Sequence, residues 1–549
     1  MKAQARTRRW WAILTLFILL AFGLRVWQLP QVPPGITHDE ASNGHDAAAI
    51  LQGEHRIYFP VGYGHEPLYN YSVALVTAVA GQSIFSLRFT TVLWGMGQLI
   101  LAVALARRWW GRTAAVAVAG AYTASFWSLM LSRVGLRAPA LPTLLTAAVY
   151  CYAHAIPSRR PQERAPQTHR GDKSRHGRRD RSAGGQHSRL PRRVPAAVAF
   201  VASGIFLGAS LYTYMASRGM PLLFVVYLIA LALIDRPKLR KVWRGTLALL
   251  LIAAAISAPL FVHLHRNPRL EQRIGQLGHA ITASQQGNWQ PLLKNLADSA
   301  PMLFLEADPQ WLYNIAGRPG LEPLLVCGFL AGLTYAVSHI RRTPVLLSLI
   351  WLIGGLAPAL MVTVDYNLLH AIAAMPAVML LIGAGAAWIR RGLHHLKRPA
   401  YAGAVATTLI TIAWMWTVVG TARAYFVTWA ENRDVRVAYH HHVVALGRHL
   451  GDTTNATTAV ITTLYPGEVH DPYAMEMALR SGDRQLRWVD GRWALFVPSS
   501  IAQLYVEEQT QPVDALWSYI TPDLDEDAIL RFRDRSEERR VGKECATGC

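Results

Sequence analysis

Long apolar runs and short basic segments alternate along most of this chain. Eleven runs of about twenty residues have the length and polarity of membrane-crossing helices: 10–29, 86–106, 113–131, 138–156, 196–215, 219–234, 243–262, 323–340, 343–363, 369–390 and 400–420. About twenty residues in an α-helix cover the ~30 Å hydrocarbon core of a bilayer. The pattern predicts an all-α polytopic membrane domain over residues 1–420, with about 11 to 13 transmembrane helices. The first run has no small-x-small cleavage site, so we interpret it as a retained helix rather than a signal peptide.

The distribution of basic residues predicts the orientation. The net charge is +21, and residues 157–195 hold twelve Lys or Arg against three acids. Their Pro, Gly, Ser and Arg content predicts a disordered loop, which the positive-inside rule retains in the cytoplasm; nucleic-acid binding is the less favoured interpretation. The loops 30–85 and 263–322 and everything after residue 420 then lie outside the cell membrane. A twelfth apolar segment, 67–88, would invert this order if it crossed, so it is predicted to lie along the interface or to enter and return.

The end of the chain has a different pattern. Residues 421–533 are predicted to form a small extracytoplasmic α/β domain, with a β-branched strand at 457–466 and a hairpin at 486–498. Residues 471–482 and 499–508 are predicted to be helical. Residues 534–549 fit nothing before them and are interpreted as a non-native tail.

Adjacent acids follow the first predicted span, in "GITHDEASNGHD" (35–46). Thr37 and Glu40 have the spacing of a helix-capping box, and acids in a first turn favour the helix dipole. A catalytic role for Asp39 and Glu40 is the alternative, since a helix here would present Asp39 and Asp46 on one face. His38, Asp39, His45 and Asp46 are metal-ligand types, but none has the spacing of a tight site. A loosely held divalent cation is therefore the most that the spacing allows, and no metal ligand or required cofactor is assigned.

The aromatic stretch 58–71 follows in the same loop. Its aromatic density is typical of a membrane-interface belt. The alternative is a wall for a lipid-linked ligand, in which His65, Glu66 and Tyr69 bind the substrate.

Three arginines are predicted at the outer ends of spans, against the usual charge bias: Arg133, Arg137 and Arg218. Each either extends its side chain to the interface or helps to bind an anionic headgroup, since Arg holds phosphate through two donors at once. Tyr212 and Tyr214 are additional hydroxyl donors. The outer loops add three more substrate-binding candidates: Asp308, Arg318 and His370.

These features together resemble the membrane glycosyltransferases of the GT-C class, and most closely the bacterial relatives of protein O-mannosyltransferases and of the lipid A aminoarabinose transferase. The resemblance covers about residues 5–500 and rests on the order of "HDE", "GHEPLYNY", "SLRFTTVLWGMG", "ARRWWGR", "SRVGLR", "LYTYMASRGMP", "NPRLEQR" and "YFVTWAENRDVRVAY". Two positions depart from the family pattern: Glu66 stands where Lys or Pro is frequent, and His370 where Arg is frequent.

The resemblance implies a polyprenyl-phosphate-sugar donor and chemistry on the outer face of the cell membrane. It implies that Asp39 is the general base of an inverting transfer, and that Glu40 and Glu66 orient or bind the acceptor. The phosphate would be held by the arginines and tyrosines of two loops: Arg133, Arg137, Tyr212, Tyr214 and Arg218. A transporter or flippase for a polyprenyl-linked saccharide and a non-catalytic envelope-assembly protein are the competing hypotheses. The charges gather at span ends rather than in mid-span, which favours the enzyme.

Overall fold

The computed structural model describes residues 2–61, 64–156, 195–271, 279–362, 365–395, 400–452, 458–463, 465–467, 469–479, 485–490, 503–507 and 517–520. The α-helices are Lys2–Val26, His38–Leu51, Leu68–Ala80, Ile84–Trp110, Arg112–Ala124, Phe126–Leu131, Ala140–Ala155, Ala196–Ser210, Pro221–Ile234, Arg236–Arg266, His279–Gln285, Gln290–Ser299, Pro323–Ser338, Thr343–Met361, Asn367–His370, Met375–His395, Ala400–Arg423, Arg433–Ala438, His441–Asp452 and Asp471–Ala478. Short 3-10 segments are Met215–Gly219, Pro268–Glu271, Ala300–Leu303 and Ile372–Ala374, and a π-helical turn covers Ala424–Trp429. Most of the basic loop and the predicted tail lie outside the described residues.

Membrane-spanning helices dominate the fold, as predicted. Each of the eleven predicted spans falls on helical residues. Within the described chain, six helices are long and apolar enough to cross a bilayer: Ile84–Trp110, Met215–Ile234, Arg236–Arg266, Thr343–Met361, Ile372–Leu393 and Thr408–Trp429. The predicted class of multi-pass membrane protein is therefore confirmed.

Two segments refine the predicted spans. The run 113–131 is interrupted at Ser125, whose extended backbone ends the helix Arg112–Ala124 and whose hydroxyl caps Phe126–Leu131. The segment 67–88 contains the helix Leu68–Ala80, which has 13 residues. Such a helix is about 20 Å long, too short to cross the hydrocarbon core by itself.

Small residues set the closest helix contacts. A Cβ on Gly332 would lie 2.1 Å from the carbonyl oxygen of Leu381, so the backbones of Pro323–Ser338 and Met375–His395 meet directly. Such close approach is how helices associate within a membrane, where apolar burial gives little drive. The contact fixes these two helices against each other.

The described part of the terminal region contains a four-stranded sheet. Thr458–Thr463 is central and pairs in parallel with Gln485–Asp490 on one side and Gln503–Glu507 on the other; Trp517–Ile520 then pairs antiparallel with Gln503–Glu507. The predicted first strand and the predicted helix at 471–482 are present, the latter as Asp471–Ala478. Residues 491–498 of the predicted hairpin lie outside the described residues.

The helix predicted at 499–508 is wrong in its described part, because Gln503–Glu507 is a strand. Leu504, Tyr505 and Val506 are paired with the central strand. β-Branched and aromatic residues fit such a pleated surface, and this tertiary pairing overrides the serine-capped pattern that suggested a helix.

The terminal region is joined to the first loop. The amide of Ile36 donates to the carbonyl of Tyr439 at 2.6 Å. Gly35 makes this approach possible: its φ is +110°, and a Cβ there would lie 2.1 Å from the Tyr439 oxygen. The helix Asp471–Ala478 packs along His38–Leu51, with the Tyr473 ring stacked on His45 at 3.7 Å.

Candidate functional site

The helix His38–Leu51 starts with the predicted capping box. The Glu40 amide donates to the Thr37 hydroxyl at 3.2 Å, and the Thr37 amide donates to the Glu40 carboxylate at 3.1 Å. Both orphan donors of the helix start are thereby satisfied. The capping interpretation of Glu40 is confirmed, and the position of the first turn is fixed.

Glu40 also forms a buried ion pair that the sequence did not reveal. Arg88 Nε donates to Glu40 Oε1 at 2.9 Å, and both side chains are 0% exposed. The Gly135 amide donates to the same oxygen at 2.8 Å. Arg88 Nη2 also donates to Glu40 Oε2 at 3.3 Å, and the other Arg88 donors bind backbone carbonyls of the segment 29–35. Glu40 is thus enclosed by the fold, and its carboxylate is not exposed to a ligand.

The surroundings of Asp39 differ from those of Glu40. The Asp39 side chain is exposed, and no described residue hydrogen-bonds to it. Asp39 lies close enough to two tyrosines for its charge to affect them. Burial is the main cause that raises the pKa of Tyr313 well above its ordinary value, and the charges of Asp39 and Glu40 raise it further. Burial, Asp365 and Asp39 likewise raise the pKa of Tyr366. Both hydroxyls therefore stay protonated beside a carboxylate that is available for chemistry.

A cavity of about 500 Å³ adjoins these residues. Its lining is Pro309, Gln310, Trp311, Leu312, Tyr366, Asp434 and Ala438. Tyr366 is thus common to the cavity wall and to the surroundings of Asp39. The end of the bundle that carries Asp39 therefore has room for a small ligand.

Arg133, a predicted phosphate ligand, has its terminal nitrogens bonded to the backbone of the chain in this arrangement. Its side chain is buried, and its two terminal nitrogens donate to four backbone carbonyls between residues 24 and 32, at 2.7 to 2.8 Å. The first helix ends there with unpaired carbonyls, and a guanidinium satisfies them. The Tyr425 and Phe426 rings cover the cation at 5.1 and 4.8 Å. Arg133 thus stabilises the end of the first helix and the segment that follows it.

Arg137 and Arg218 keep the predicted possibility of binding an anion. Arg137 is half-buried, and its Nε has no hydrogen-bond partner among the described residues. It lies two residues after Gly135, whose carbonyl accepts from Asn43 of the first-loop helix at 2.9 Å. Arg218 Nη2 contacts the Glu66 carboxylate at 3.3 Å, with Glu66 buried and Arg218 partly exposed.

The two predicted tyrosine donors differ from each other. The Tyr212 hydroxyl donates to the carbonyl of Ile256 at 2.8 Å, so its proton is committed to the fold. Tyr214 is half-buried, and its hydroxyl is close enough to affect the pKa of Tyr313. Of the pair, Tyr214 is the one that lies near the surroundings of Asp39.

His65 and Tyr69, both predicted to bind the substrate, are interior residues. His65 is 2% exposed; its Nε2 lies 2.9 Å from Asp46, whose same oxygen accepts from Asn70 at 2.8 Å. Tyr69 is fully buried against Thr91 at 2.6 Å. These contacts pack the first-loop helix onto its neighbours.

The other acid and histidine of the first-loop helix have partners away from Asp39. Asp46 is hydrogen-bonded with His65, and His45 lies 2.9 Å from Glu476, so neither joins Asp39 in a cation site.

Asp308, Arg318 and His370 lie in a second polar group. Arg318 contacts Glu322 at 3.2 Å and covers the Phe126 ring at 4.5 Å. Asp308 is fully buried and accepts from the Leu368 amide at 3.1 Å, and His370 lies two residues further along and is half-buried. These contacts tie the long loop to the bundle, so a substrate contact is not apparent for Asp308 or Arg318.

Asp308 makes stability depend on pH. Burial raises its pKa from the ordinary 3.8 to about 7. Between about pH 4 and 7 the folded state therefore holds a proton that the unfolded chain has lost, and stability falls as the pH rises through this window. We expect Asp308→Asn to melt at a higher temperature than wild type at pH 8, with the difference shrinking toward pH 5. Parallel melting curves across this range, measured in one detergent, would contradict the assignment.

Two residues of the site region were not predicted from the sequence. His440 and Asp471 lie beside His38: Asp471 Oδ1 is 2.9 Å from His38 Nε2 and 3.6 Å from His440 Nδ1. More than 400 positions separate His38 from Asp471, and no local motif links them. The triple histidine at 440–442, in the predicted terminal domain, was the available hint.

The fold defines a class, and solved structures share it. ArnT from Cupriavidus metallidurans bound to undecaprenyl phosphate is 14% identical with a TM-score of 0.51, over 90% of this chain and 93% of that chain. The archaeal oligosaccharyltransferase AglB from Archaeoglobus fulgidus, in complex with an inhibitory peptide and a dolichol-phosphate, is 15% identical with a TM-score of 0.51, over 88% of this chain and 64% of that chain. The fold is therefore that of the GT-C membrane glycosyltransferases, and the predicted fold class is confirmed.

The comparison by sequence is narrower. Residues 64–163 match the family model described as dolichyl-phosphate-mannose-protein mannosyltransferase. No curated protein matches the chain. The matched part includes Glu66 and the arginines at 133 and 137, and it agrees with the resemblance read from the motifs.

Proposed function

We propose that this protein is an inverting glycosyltransferase that moves a sugar from a polyprenyl-phosphate donor to an acceptor hydroxyl or amine. The observation that carries the proposal is Asp39, an exposed carboxylate that makes no hydrogen bond to the described residues. It lies at the start of a helix whose neighbouring acid, Glu40, is held in a buried ion pair. A general base needs such a combination of access and fixed position.

The reaction requires three functions at one place. Asp39 takes the proton from the acceptor as the acceptor attacks the anomeric carbon from the side opposite the phosphate. The bond between that carbon and the phosphate oxygen breaks, and polyprenyl phosphate leaves with the electron pair. Arg137 and Arg218 stabilise its charge, because cations that are positioned before the reaction need no reorganisation during it. Tyr214 supplies a neutral hydrogen bond.

Glu40 and Glu66 act through other groups in this proposal. Glu40 with Arg88 positions the turn that carries Asp39, and Glu66 holds Arg218 by its 3.3 Å contact. This replaces the acceptor-binding role that the family resemblance implied for both acids. Residues that fix a reacting group within a fraction of an ångström influence the rate strongly without touching the substrate.

The donor class is supported by the solved relatives and by the family model. ArnT is bound to undecaprenyl phosphate and AglB to a dolichol-phosphate, and both have the fold of this chain. The family model over residues 64–163 concerns dolichyl-phosphate-mannose. The chemistry is proposed to occur on the outer face of the cell membrane, because the basic connections assign the opposite face to the cytoplasm.

A release assay tests the function. The purified full-length protein in detergent receives a polyprenyl-phosphate sugar and a mixture of acceptors, and free polyprenyl phosphate is measured. Release that depends on the acceptor supports the transferase. A protein that instead moves intact donor across a liposome membrane, without release, would be a flippase and would overturn the proposal.

Two arginines with the same charge give a matched comparison in this assay. Arg137→Gln is expected to raise the donor KM or lower kcat by about 10-fold or more, while the melting temperature changes little, since a charge-assisted contact to phosphate contributes about 1.5–3 kcal/mol. Arg133→Gln is expected to lower the melting temperature because it frees four carbonyls. Unchanged kinetics for Arg137→Gln would remove Arg137 from the phosphate site.

A further inference from the structure

A compact group of metal-ligand side chains lies beside Asp39 and is not used by the proposed reaction. His38, His440 and Asp471 each offer one ligand atom, and the three atoms lie within 4.8 Å of one another. They come from three parts of the chain: the first-loop helix, the segment after the last membrane helix, and the helix Asp471–Ala478. We propose that they form a binding site for a zinc-type transition-metal ion, which fastens the terminal region to the first loop.

The distances suit three ligands of one ion. His38 Nε2 and Asp471 Oδ1 are within hydrogen-bond length at 2.9 Å. His440 Nδ1 is 3.6 Å from Asp471 Oδ1, which is beyond hydrogen-bond length although both groups are largely shielded from water. Two ligand atoms at 2.0–2.1 Å from a tetrahedral zinc ion lie about 3.3–3.4 Å apart. The two contacts of Asp471 Oδ1, at 2.9 and 3.6 Å, bracket this value. An ion fits between the three atoms after small adjustments.

The group has the surroundings of a built site. The second carboxylate oxygen of Asp471 is hydrogen-bonded by the Thr463 hydroxyl, which fixes the direction of Oδ1. Outer hydrogen bonds of this kind orient the ligands of known metal centres. The His38 and His440 rings are stacked at 3.8 Å between centroids, so both present their nitrogens to the same oxygen.

The backbone of His440 provides an independent observation. Its φ is +44°, a left-handed conformation that non-glycine residues seldom adopt. Such conformations persist where the surroundings impose them, often at functional sites. Here the preceding residue is held by the hydrogen bond from Ile36 to Tyr439, which brings His440 beside His38.

The chemistry of the donor set selects the metal class. Two imidazoles and a carboxylate suit zinc, and also bind cobalt and nickel. Solvent fills the fourth position, since His38 is 22% exposed and His440 is 15% exposed. A bound ion would hold the residue immediately before Asp39.

The test measures metal content and needs no donor or acceptor, so its outcome is separate from that of the transferase assay. Full-length protein is purified in detergent without a polyhistidine tag, equilibrated with ZnSO₄, freed of loose metal and analysed for zinc. We expect about one zinc ion per chain in wild type and a loss of at least 5-fold in His440→Gln and in Asp471→Asn. His45→Gln, which alters a neighbouring contact of the same two helices, is the matched control and keeps the zinc.

A cobalt spectrum of wild-type protein tests the proposed metal site even if a variant fails to fold. Wild-type protein loaded with CoCl₂ is expected to show the intense visible bands of a four-coordinate site, and zinc should displace them. Zinc should also raise the melting temperature of wild type but not of His440→Gln. Absence of zinc and of the cobalt spectrum in folded wild type, or full zinc content in both ligand variants, overturns the proposal.

Discussion

Asp39→Asn is expected to lower the rate of polyprenyl-phosphate release by about 10²–10⁴-fold, the usual contribution of a positioned general base. The amide keeps the size of the side chain but does not accept the acceptor's proton. Because Asp39 is exposed and makes no hydrogen bond to the described residues, the fold depends on its charge only through the helix dipole, by about 0.3–1 kcal/mol. The melting temperature should stay within about 1–2 °C of wild type.

A matched control separates loss of the base from loss of surface charge. Glu54→Gln removes one negative charge from the same loop, at an exposed position whose ion-pair partner in the described structure is Arg56 at 3.1 Å. That variant should release polyprenyl phosphate at the wild-type rate. Wild-type turnover by Asp39→Asn would contradict the proposed base, and an equal loss in both variants would indicate a general effect of charge on donor binding.

Features whose residues are close in the sequence could be predicted here, whereas features that join distant parts of the chain could not. The capping box at Thr37 and Glu40 could be predicted because its partners are three residues apart. The transmembrane helices could be predicted because hydropathy reports length and composition directly. The grouping of His38 with His440 and Asp471 could not, because it depends on how the terminal region packs on the first loop.

The arginines illustrate a second limit. The predicted sidedness of the loops singled out Arg133 and Arg137, which are four residues apart, and it assigned them one role. Arg133 is buried against the end of the first helix, where four carbonyls need donors, whereas Arg137 has no such neighbour for its Nε in the described structure. Charge patterning therefore identifies candidate phosphate-binding arginines. Only the packing distinguishes an arginine that bonds to the backbone from one that is placed to bind a ligand.

The buried pair of Glu40 and Arg88 should have the largest effect on stability. Removing one partner leaves the other charge without compensation in a site that is 0% exposed, which typically costs about 3–5 kcal/mol. We expect Glu40→Gln and Arg88→Met each to lower the melting temperature in detergent markedly. The double variant should lose less than the sum of the two, because no lone charge remains buried.

Activity in the same variants distinguishes a positioning role from a catalytic role for Glu40. If Glu40 acts by holding the turn that carries Asp39, then Arg88→Met, which leaves both acids in place, should lower kcat about as much as Glu40→Gln does. If Glu40 instead contacts the substrate, Glu40→Gln should abolish release while Arg88→Met retains it. That second pattern, with a wild-type melting temperature for Glu40→Gln, would contradict the positioning role, since a buried carboxylate paired at 2.9 Å cannot be neutralised without consequence for the fold.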